Sequence, residues 1–321
     1  FKRINSDVDV RKSYQKILNV NIYNWNDFDF CYKEFSGINN TRLEVILEMF
    51  QCGRPDWLEK ILFDEELNHI VQIIMVDYLT AEKYAEDFHK LMSLTRRGCV
   101  KKVNFMPGFT KKTGGLALNE IWGNLSERNP FGDILFFCYE RNWDKTSKSI
   151  KDYFEKKNDS NLKLLIAQGQ GKDSFIKSAK KCNLPYIELD YLNQNEWDIM
   201  MKNCSFMFVR GEETMSRACL SGIPFIWHAY PQSDDYHLVK VNALLERMRN
   251  HFTNEHFEII KNAWLYINSS ESDYCQNEYV DSIGHMLDCQ DDLVYGFRDF
   301  ALSLINNGDL CLNLVNFIKE K

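Results

Sequence analysis

The stretch Phe206-Met-Phe-Val-Arg210-Gly-Glu-Glu-Thr214 decides the fold class of this chain. Its apolar half predicts a buried strand, and the residues from Met215 onward predict a helix. The turn between them places Arg210, Glu212 and the backbone N–H groups near Thr214 at the carboxyl end of the strand. Arginine and a helix N-terminus both bind phosphate oxygens, so the carboxylates would face sugar or ribose hydroxyls. A surface turn with a capping threonine and solvated charges explains the same pattern.

Polar side chains follow two further predicted strands. The apolar run Pro224–Trp227 ends in His228 and a loop rich in aromatic and acidic residues, and Tyr139 follows the apolar run Ile134–Cys138. Ligands of parallel sheets bind at the carboxyl ends of the strands, which predicts that these residues lie near Arg210. His228 either takes part in chemistry or is structural. Tyr139 either stacks on a base, reaches a phosphate, or belongs to the core or rim.

Strand and helix patterns alternate over most of the chain, which predicts parallel sheets with helices on both faces. The predicted strands are residues 20–23, 45–50, 69–76, 134–138, 162–167, 186–189, 206–209 and 224–227. The predicted helices are residues 56–63, a helix capped by Thr80, and residues 145–156, 172–182, 196–203, 215–221 and 236–249, followed by a helical tail from about residue 252.

A long irregular connection at residues 104–130 contains glycines and prolines, and connections of this length are usually functional or lie between domains. The chain is therefore predicted to form an N-terminal domain of residues 1–125 and a C-terminal domain of residues 126–321. Two doubly wound α/β domains facing a cleft, closed by the helical tail, are the simplest architecture. A length of 321 residues suits two such domains.

Composition excludes several classes of function. The net charge of −7 and pI of about 5.6 show no basic stripe for nucleic acid. The ten cysteines are scattered without CxxC or zinc spacing, which indicates reduced thiols in a cytosolic protein. Neither a signal peptide nor a membrane-spanning run is visible. The sequence has no GxGxxG, Walker A, HExxH or GxSxG motif, Gly169-Gln-Gly171 being too short for a Walker A, and nothing in it requires a metal.

Two segments resemble a known family. RGEETMSRACLSGIPFIWHAYPQSDDYHL (residues 210–238) and FMPGFTKKTGGL (residues 105–116) are similar to the elongation factor P arginine rhamnosyltransferases, EarP. Shorter pieces agree in order: Glu48-Met-Phe50 with Cys52, Asp77–Glu82, and Phe137–Glu140. The resemblance implies a GT-B fold and an inverting glycosyltransferase that needs neither metal nor cofactor. It also implies TDP-β-L-rhamnose as donor and an arginine of translation elongation factor P as acceptor.

The resemblance also assigns site residues. The segment Arg210, Gly211, Glu212, Glu213 and Thr214 matches the family's donor-binding turn, usually Arg-Gly-Glu-Asp-Ser, so Glu213 and Thr214 depart from the pattern. Glu212 matches the glutamate that the family treats as catalytic. Two further positions match donor contacts: Tyr139, and Gln194, which would face the thymine.

One family motif has no counterpart here. The family opens with a glycine-rich turn carrying Asp-Asn-x-Gly-Asp, whose second aspartate is the presumed general base, and Phe1 aligns some tens of residues beyond it. We therefore expect a chain truncated at its N-terminus. Three alternatives follow: a GT-B transferase with another sugar nucleotide or acceptor, a catalytically silent TDP-sugar-binding remnant, and a purely structural α/β scaffold.

Overall fold

The computed structural model describes residues 21–320 apart from 22, 39, 41, 126, 128, 160 and 270–281. Of the strand predicted at residues 20–23, residues 20 and 22 lie outside this part, and residues 21 and 23 are not in a strand. Contacts along the chain define two compact units. The first contains residues up to 77 together with 90–105, and the second contains residues 78–89 together with 106–321.

The first unit is built on a four-stranded sheet with the order β1-β2-β4-β3. Strands β1, β2 and β4 are parallel, and the short β3 is antiparallel to β4. The strands are β1 (Val45–Met49), β2 (Val71–Val76), β3 (Met92–Ser93) and β4 (Val100–Phe105), and the helices are α1 (Phe28–Phe35) and α2 (Asp56–Phe63). The predicted helix 56–63 is confirmed, because its apolar residues recur at helical spacing.

A small apolar core lies between these helices and the sheet. Trp57 on α2 stacks on Phe35 of α1, with ring centres 5.5 Å apart. Its indole Nε1–H donates to the carbonyl oxygen of Trp25 at 3.0 Å, so the buried polar tip of this large ring has a partner. The contact holds α1 against α2 through one aromatic pair.

The second unit is built on a five-stranded sheet with the order β7-β6-β5-β8-β9, and all of its strand pairs are parallel. The strands are β5 (Ile134–Phe136), β6 (Leu164–Ile166), β7 (Ile187–Glu188), β8 (Phe206–Arg210) and β9 (Phe225–His228). In chain order within this sheet, the first strand is β5 and the fourth is β8, and they are neighbours. The order of connection reverses between them, and this is where doubly wound sheets bind ligands.

Helices connect these strands and complete the chain. They are α3 (Tyr84–Phe88), α4 (Asp144–Lys157), α5 (Lys172–Lys181), α6 (Gln194–Asn203), α7 (Glu212–Ser221), α8 (Tyr236–Met248), α9 (Asn254–Asn268), α10 (Ser282–Asp288), α11 (Gln290–Ile305) and α12 (Leu310–Lys319). The predicted helices of this unit are confirmed to within about three residues at each end, the range over which helix boundaries are usually uncertain. None of the helices in the described residues is long and apolar enough to span a membrane.

The helical tail is fixed to the last strand by buried side chains of α9. The indole of Trp264 donates to the carbonyl oxygen of Phe225 at 2.9 Å. The amide of Asn268 donates to the carbonyl oxygen of Trp227 at 2.7 Å and accepts from the N–H of Ala229 at 2.8 Å. A buried strand end is thereby satisfied by the tail, which makes the tail part of the second unit's core.

The helix predicted to follow Thr80 is present but begins at Tyr84 with Lys83 at its N-cap, so the predicted capping role of Thr80 was wrong. The Thr80 hydroxyl accepts from the backbone N–H of Glu82 at 3.1 Å and forms only a local turn. The segment 78–89 is bound to α8 instead: Arg247 donates to the Glu86 carboxylate at 2.6 Å, and Tyr236 donates to Glu82 at 2.8 Å. Tertiary contacts with α8 therefore assign this segment to the second unit.

Residues 106–125 also belong to the second unit. Phe109, Leu116 and Trp122 are buried in its core. The stretch predicted as a connection between two domains therefore packs as part of the second unit. The contacts place the change from the first unit to the second at residue 106, whereas the sequence predicts the boundary between residues 125 and 126. The assignment of domains 1–125 and 126–321 stays a prediction.

Candidate functional site

The turn between β8 and α7 leaves backbone donors free. Gly211 occupies the N-cap position with φ 70° and ψ 156°, a conformation that is open essentially to glycine alone. No side chain of the described residues caps this end of α7. The first intrahelical bond runs from Met215 N–H to the Gly211 carbonyl, so the three preceding N–H groups have no helical partner. Such an end carries partial positive charge and accepts anions.

Arg210 closes β8 and extends over the neighbouring strand end. Its guanidinium carbon lies 4.5 Å from the ring centre of Phe137 and 4.7 Å from that of Tyr139. Gly169, after β6, leaves the space that the guanidinium occupies, because a Cβ there would lie 2.6 Å from Nη2. The Arg210 Nε is buried and has no hydrogen-bond partner among the described residues. An unsatisfied charged donor of this kind favours an anionic ligand.

Tyr139 joins the two strand ends on either side of Arg210. Its ring meets Tyr230 edge-on, with ring centres 5.3 Å apart. Burial raises the pKa of the Tyr139 hydroxyl, which the charge of Arg210 partly offsets and the charge of Glu212 reinforces. The phenol is therefore a neutral hydrogen-bonding group at physiological pH, and the structure confirms that Tyr139 and Arg210 meet at one sheet edge.

The surroundings of His228 indicate a structural role for its ring. The ring is buried, and its Nδ1 accepts the backbone N–H of Tyr139 at 3.2 Å. Burial lowers the pKa of His228 to about 3, with further lowering by the charges of Arg141, His237 and Arg210. The imidazole is thus neutral, and it holds the backbone of Tyr139 in place.

The buried neutral His228 makes the protein sensitive to acid. Below about pH 6.5 the unfolded chain binds a proton that the folded chain excludes until about pH 3. The free energy of unfolding therefore falls as the pH decreases from 6.5. We expect it to fall between pH 7 and pH 5 by up to about 2 kcal/mol more in the wild type than in His228→Gln. Urea unfolding of both proteins at the two pH values measures this difference, and equal pH dependence would contradict it.

Gln194 lies at the same edge of the sheet but not against Arg210. It opens α6 with an exposed side chain whose Nε2 donates to Asp198 Oδ1 at 3.0 Å. Trp197, one turn along the helix, meets Phe137 edge-on at 5.2 Å, and Phe137 lies under Arg210. Within the described residues no contact joins Gln194 to Arg210, so a nucleotide bridging them stays a prediction.

The three remaining predicted residues have different surroundings. Glu212 is exposed at the first position of α7, beside the free N–H groups. Glu213 is exposed too, but its carboxylate pairs with Arg217 at 2.8 Å along the helix. Thr214 is partly buried and does not cap α7, so its predicted N-cap role on the surface-turn interpretation was wrong. The cap is Gly211 instead, because only a positive φ fits this turn.

Sequence reasoning missed the residues that shape the site around Arg210. Phe137 was assigned to a strand, yet it follows β5 and supports the guanidinium. Gly169 and Gly171 were considered only as a phosphate-loop motif, but they let two strand ends approach: a Cβ at Gly171 would lie 2.3 Å from the Cys138 carbonyl oxygen. The sequence signal for this close approach was the pair Gly169 and Gly171, which follows the predicted strand at residues 162–167.

Gly169→Ala is expected to displace the guanidinium of Arg210. The added Cβ would collide with Nη2, and the backbone φ of 151° disfavours a side chain. We expect stability to fall by about 1–3 kcal/mol and anion affinity by about tenfold. Thermal unfolding and titration with a nucleoside diphosphate measure the two effects. Gly98→Ala is the control, because a Cβ at Gly98 meets nothing within 4 Å; equal effects of both changes would contradict the role of Gly169.

Two cavities lie away from the residues around Arg210. One of about 430 Å³ lies beside Tyr153 and Asp288, and one of about 440 Å³ lies beside Arg54 and Asn104. Neither is lined by the residues around Arg210. In the part of the chain that the structure describes, no group of three or more His, Cys, Asp or Glu side chains is placed to hold a metal ion.

Comparison with known proteins identifies relatives along the whole chain. The family described as Elongation-Factor P (EF-P) rhamnosyltransferase EarP matches residues 1–131 and 123–319. A protein-arginine rhamnosyltransferase of Shewanella oneidensis is 26% identical over 313 residues, covering 86% of this chain and 78% of that protein. One of Pseudomonas aeruginosa is 24% identical over 263 residues, covering 70% of this chain and 66% of that protein.

A solved structure supports the fold. It is described as the structural basis for EarP-mediated arginine glycosylation of translation elongation factor EF-P. It aligns with 67% of this chain and 75% of its own, with a TM-score of 0.51 and 18% identity. This likeness confirms the predicted GT-B fold class.

Proposed function

Because this chain belongs to the EarP family of elongation factor P rhamnosyltransferases, we propose that it transfers L-rhamnose from TDP-β-L-rhamnose to an arginine of translation elongation factor P. The chain is a glycosyltransferase, as its relatives are. The observation that carries the proposal is the end of β8, where Arg210 is followed directly by Gly211 and the free amides that open α7. We further propose that the anomeric centre is inverted and that neither cofactor nor metal takes part.

The diphosphate of the donor is the group that this edge fits. Arg210 offers a planar fork whose Nε lacks a partner among the described residues, and the start of α7 offers backbone N–H groups. Negative charge grows on the diphosphate as the bond to the anomeric carbon breaks, so both groups bind the transition state more strongly than the ground state. Tyr139, with a neutral hydroxyl beside Arg210, adds a further hydrogen-bonding group.

The acceptor sets the chemical requirement. A guanidinium with a pKa above about 12 is a poor nucleophile until a carboxylate orients it and takes its proton. In the reaction a C–N bond forms at the anomeric carbon, the C–O bond to phosphate breaks, the electron pair leaves with TDP, and the arginine loses one proton. In the family this proton is assigned to the second aspartate of the Asp-Asn-x-Gly-Asp motif, which these 321 residues do not contain. To Glu212 we assign the positioning of the sugar or of its developing positive charge. Because the acceptor is a translation factor, we place the reaction in the cytoplasm.

Intact-mass spectrometry of elongation factor P tests the proposal. After incubation with TDP-β-L-rhamnose and the chain joined at Phe1 to a segment that carries the family's Asp-Asn-x-Gly-Asp motif, we expect the factor to gain one deoxyhexose, and a factor with lysine in place of the acceptor arginine to gain none. Binding of TDP without transfer would instead show a donor-binding protein that is catalytically silent. Thermal stabilisation by UDP-GlcNAc but not by TDP-rhamnose would indicate another GT-B transferase, and stabilisation by neither would overturn the proposal.

A further inference from the structure

Asp198, one turn into α6, carries a fully buried carboxylate. Asp198 accepts from Gln194 Nε2 at 3.0 Å and from Asn119 Nδ2 at 3.3 Å, and its Oδ1 pairs with Arg217 Nε at 2.7 Å. Burying an ionised carboxylate requires such partners, because the isolated charge would be costly. The Asp198 carboxylate is paired with the Arg217 guanidinium, and its two oxygens accept hydrogen bonds from the amides of Gln194 and Asn119.

This carboxylate dictates how the Gln194 amide is turned. Only the Nε2 end can face Asp198, because two acceptors would repel each other. The Oε1 end therefore faces away from Asp198, and it takes part in no hydrogen bond with the described residues. Since the side chain is exposed, Oε1 is available to a ligand that donates a hydrogen.

Gln194 is placed where such a ligand would lie. It follows β7 at the carboxyl edge of the sheet, and Trp197 on the same helix touches Phe137, which supports Arg210. A nucleotide whose diphosphate lies at Arg210 would extend its base along this edge. The bases differ at their N3 position: thymine and uracil carry N3–H, a donor, whereas cytosine has an acceptor there.

We infer that Asp198 is a positioning residue that fixes the Gln194 amide so that the site takes a pyrimidine with an N3–H donor, thymine or uracil, and rejects cytosine. The inference rests on the proposed function, because it requires a nucleoside diphosphate at this edge. Arg217 has a part in it, since its guanidinium pairs with Asp198 and also with Glu213 in the donor turn.

Calorimetric titration with two matched nucleotides tests the inference. TDP and 5-methyl-deoxycytidine diphosphate differ only at position 4 and N3 of the base, so the 5-methyl group is constant. The wild type is expected to bind TDP at least about tenfold more tightly, the effect of one mispaired hydrogen bond. In Asp198→Asn the new side-chain amide can donate a hydrogen bond as well as accept one, so the Gln194 amide can adopt either orientation. The ratio of the two affinities is therefore expected to fall towards one. Asn119→Ala, which removes another partner of Asp198, is expected to keep the wild-type ratio.

The outcomes separate this inference from the proposed function. Equal binding of both nucleotides by the wild type would overturn the inference alone, and binding of neither would overturn the proposed function. An unchanged ratio in Asp198→Asn, or an equal loss in Asn119→Ala, would also overturn the inference. If Asp198→Asn fails to fold, Gln194→Met removes the exposed amide and leaves Asp198 its partners Arg217 and Asn119, and a persisting preference for TDP in that variant would overturn the inference.

Discussion

Arg210→Lys is expected to weaken TDP binding by about 100-fold and to lower transfer by at least as much. Lysine keeps the charge, but it cannot form a planar fork or stack between the rings of Phe137 and Tyr139. The loss of one charged hydrogen bond and of the stacked geometry together accounts for an effect of this size. Calorimetry with TDP measures the affinity, and the mass of elongation factor P measures the transfer.

Arg249→Lys is the matched control for Arg210→Lys. Arg249 also lies over an aromatic ring, 4.1 Å from the centre of Phe257, but it is far from the strand ends in sequence and pairs with Glu246. We expect TDP affinity within about threefold of the wild type, as for surface changes that touch no ligand. If Arg210→Lys bound TDP as tightly as Arg249→Lys does, the diphosphate would not lie at Arg210.

Glu212→Gln is expected to lower the turnover of rhamnose transfer by about 100-fold while TDP affinity stays within about threefold. The carboxylate stands at the first position of α7, beside the amides assigned to the diphosphate, where it can act on the sugar but not on the phosphates. A change that acts only in the transition state lowers kcat and leaves ground-state binding unchanged. Time courses of the mass shift at saturating donor give kcat.

Glu213→Gln provides the comparison for Glu212→Gln. The two carboxylates are adjacent on one helix turn, but that of Glu213 is engaged by Arg217. We expect turnover to fall less than about fivefold in Glu213→Gln, since Glu213 is exposed and an i,i+4 pair on a helix contributes little. Normal turnover in Glu212→Gln, or equal losses in the two variants, would remove Glu212 from the catalytic role.

Strands and helices of the second unit were predictable because hydrophobic periodicity and burial coincide there. The run Phe206–Val209 is apolar on both faces, as a central strand of a parallel sheet requires, and it became β8 with Arg210 added. The start of α6 was predicted two residues late, although Asn193 and Glu196 form a capping box that the sequence spells out. Local rules therefore supplied the elements and the edge on which the site residues lie.

The contacts within the site could not be predicted, because they depend on which strands are neighbours. Gly169 makes space for Arg210 only because β6, β5 and β8 are adjacent, and the turn chemistry at Gly169 alone does not show this. His228 was left open between chemistry and structure until its ring was found against the backbone of Tyr139. The segment at residues 78–89 was assigned by sequence order to the first domain, whereas its ion pair with Arg247 joins it to the second unit.

Hydrogen exchange at the start of α7 measures whether the diphosphate of the donor lies there. In the proposed complex the free amides of Glu212, Glu213 and Thr214 bind this diphosphate. Saturation with TDP is therefore expected to slow exchange at these amides, with little change at the capped start of α9, where Thr253 already satisfies a donor. Exchange at these three amides that stays at its free rate while TDP is bound would contradict the account.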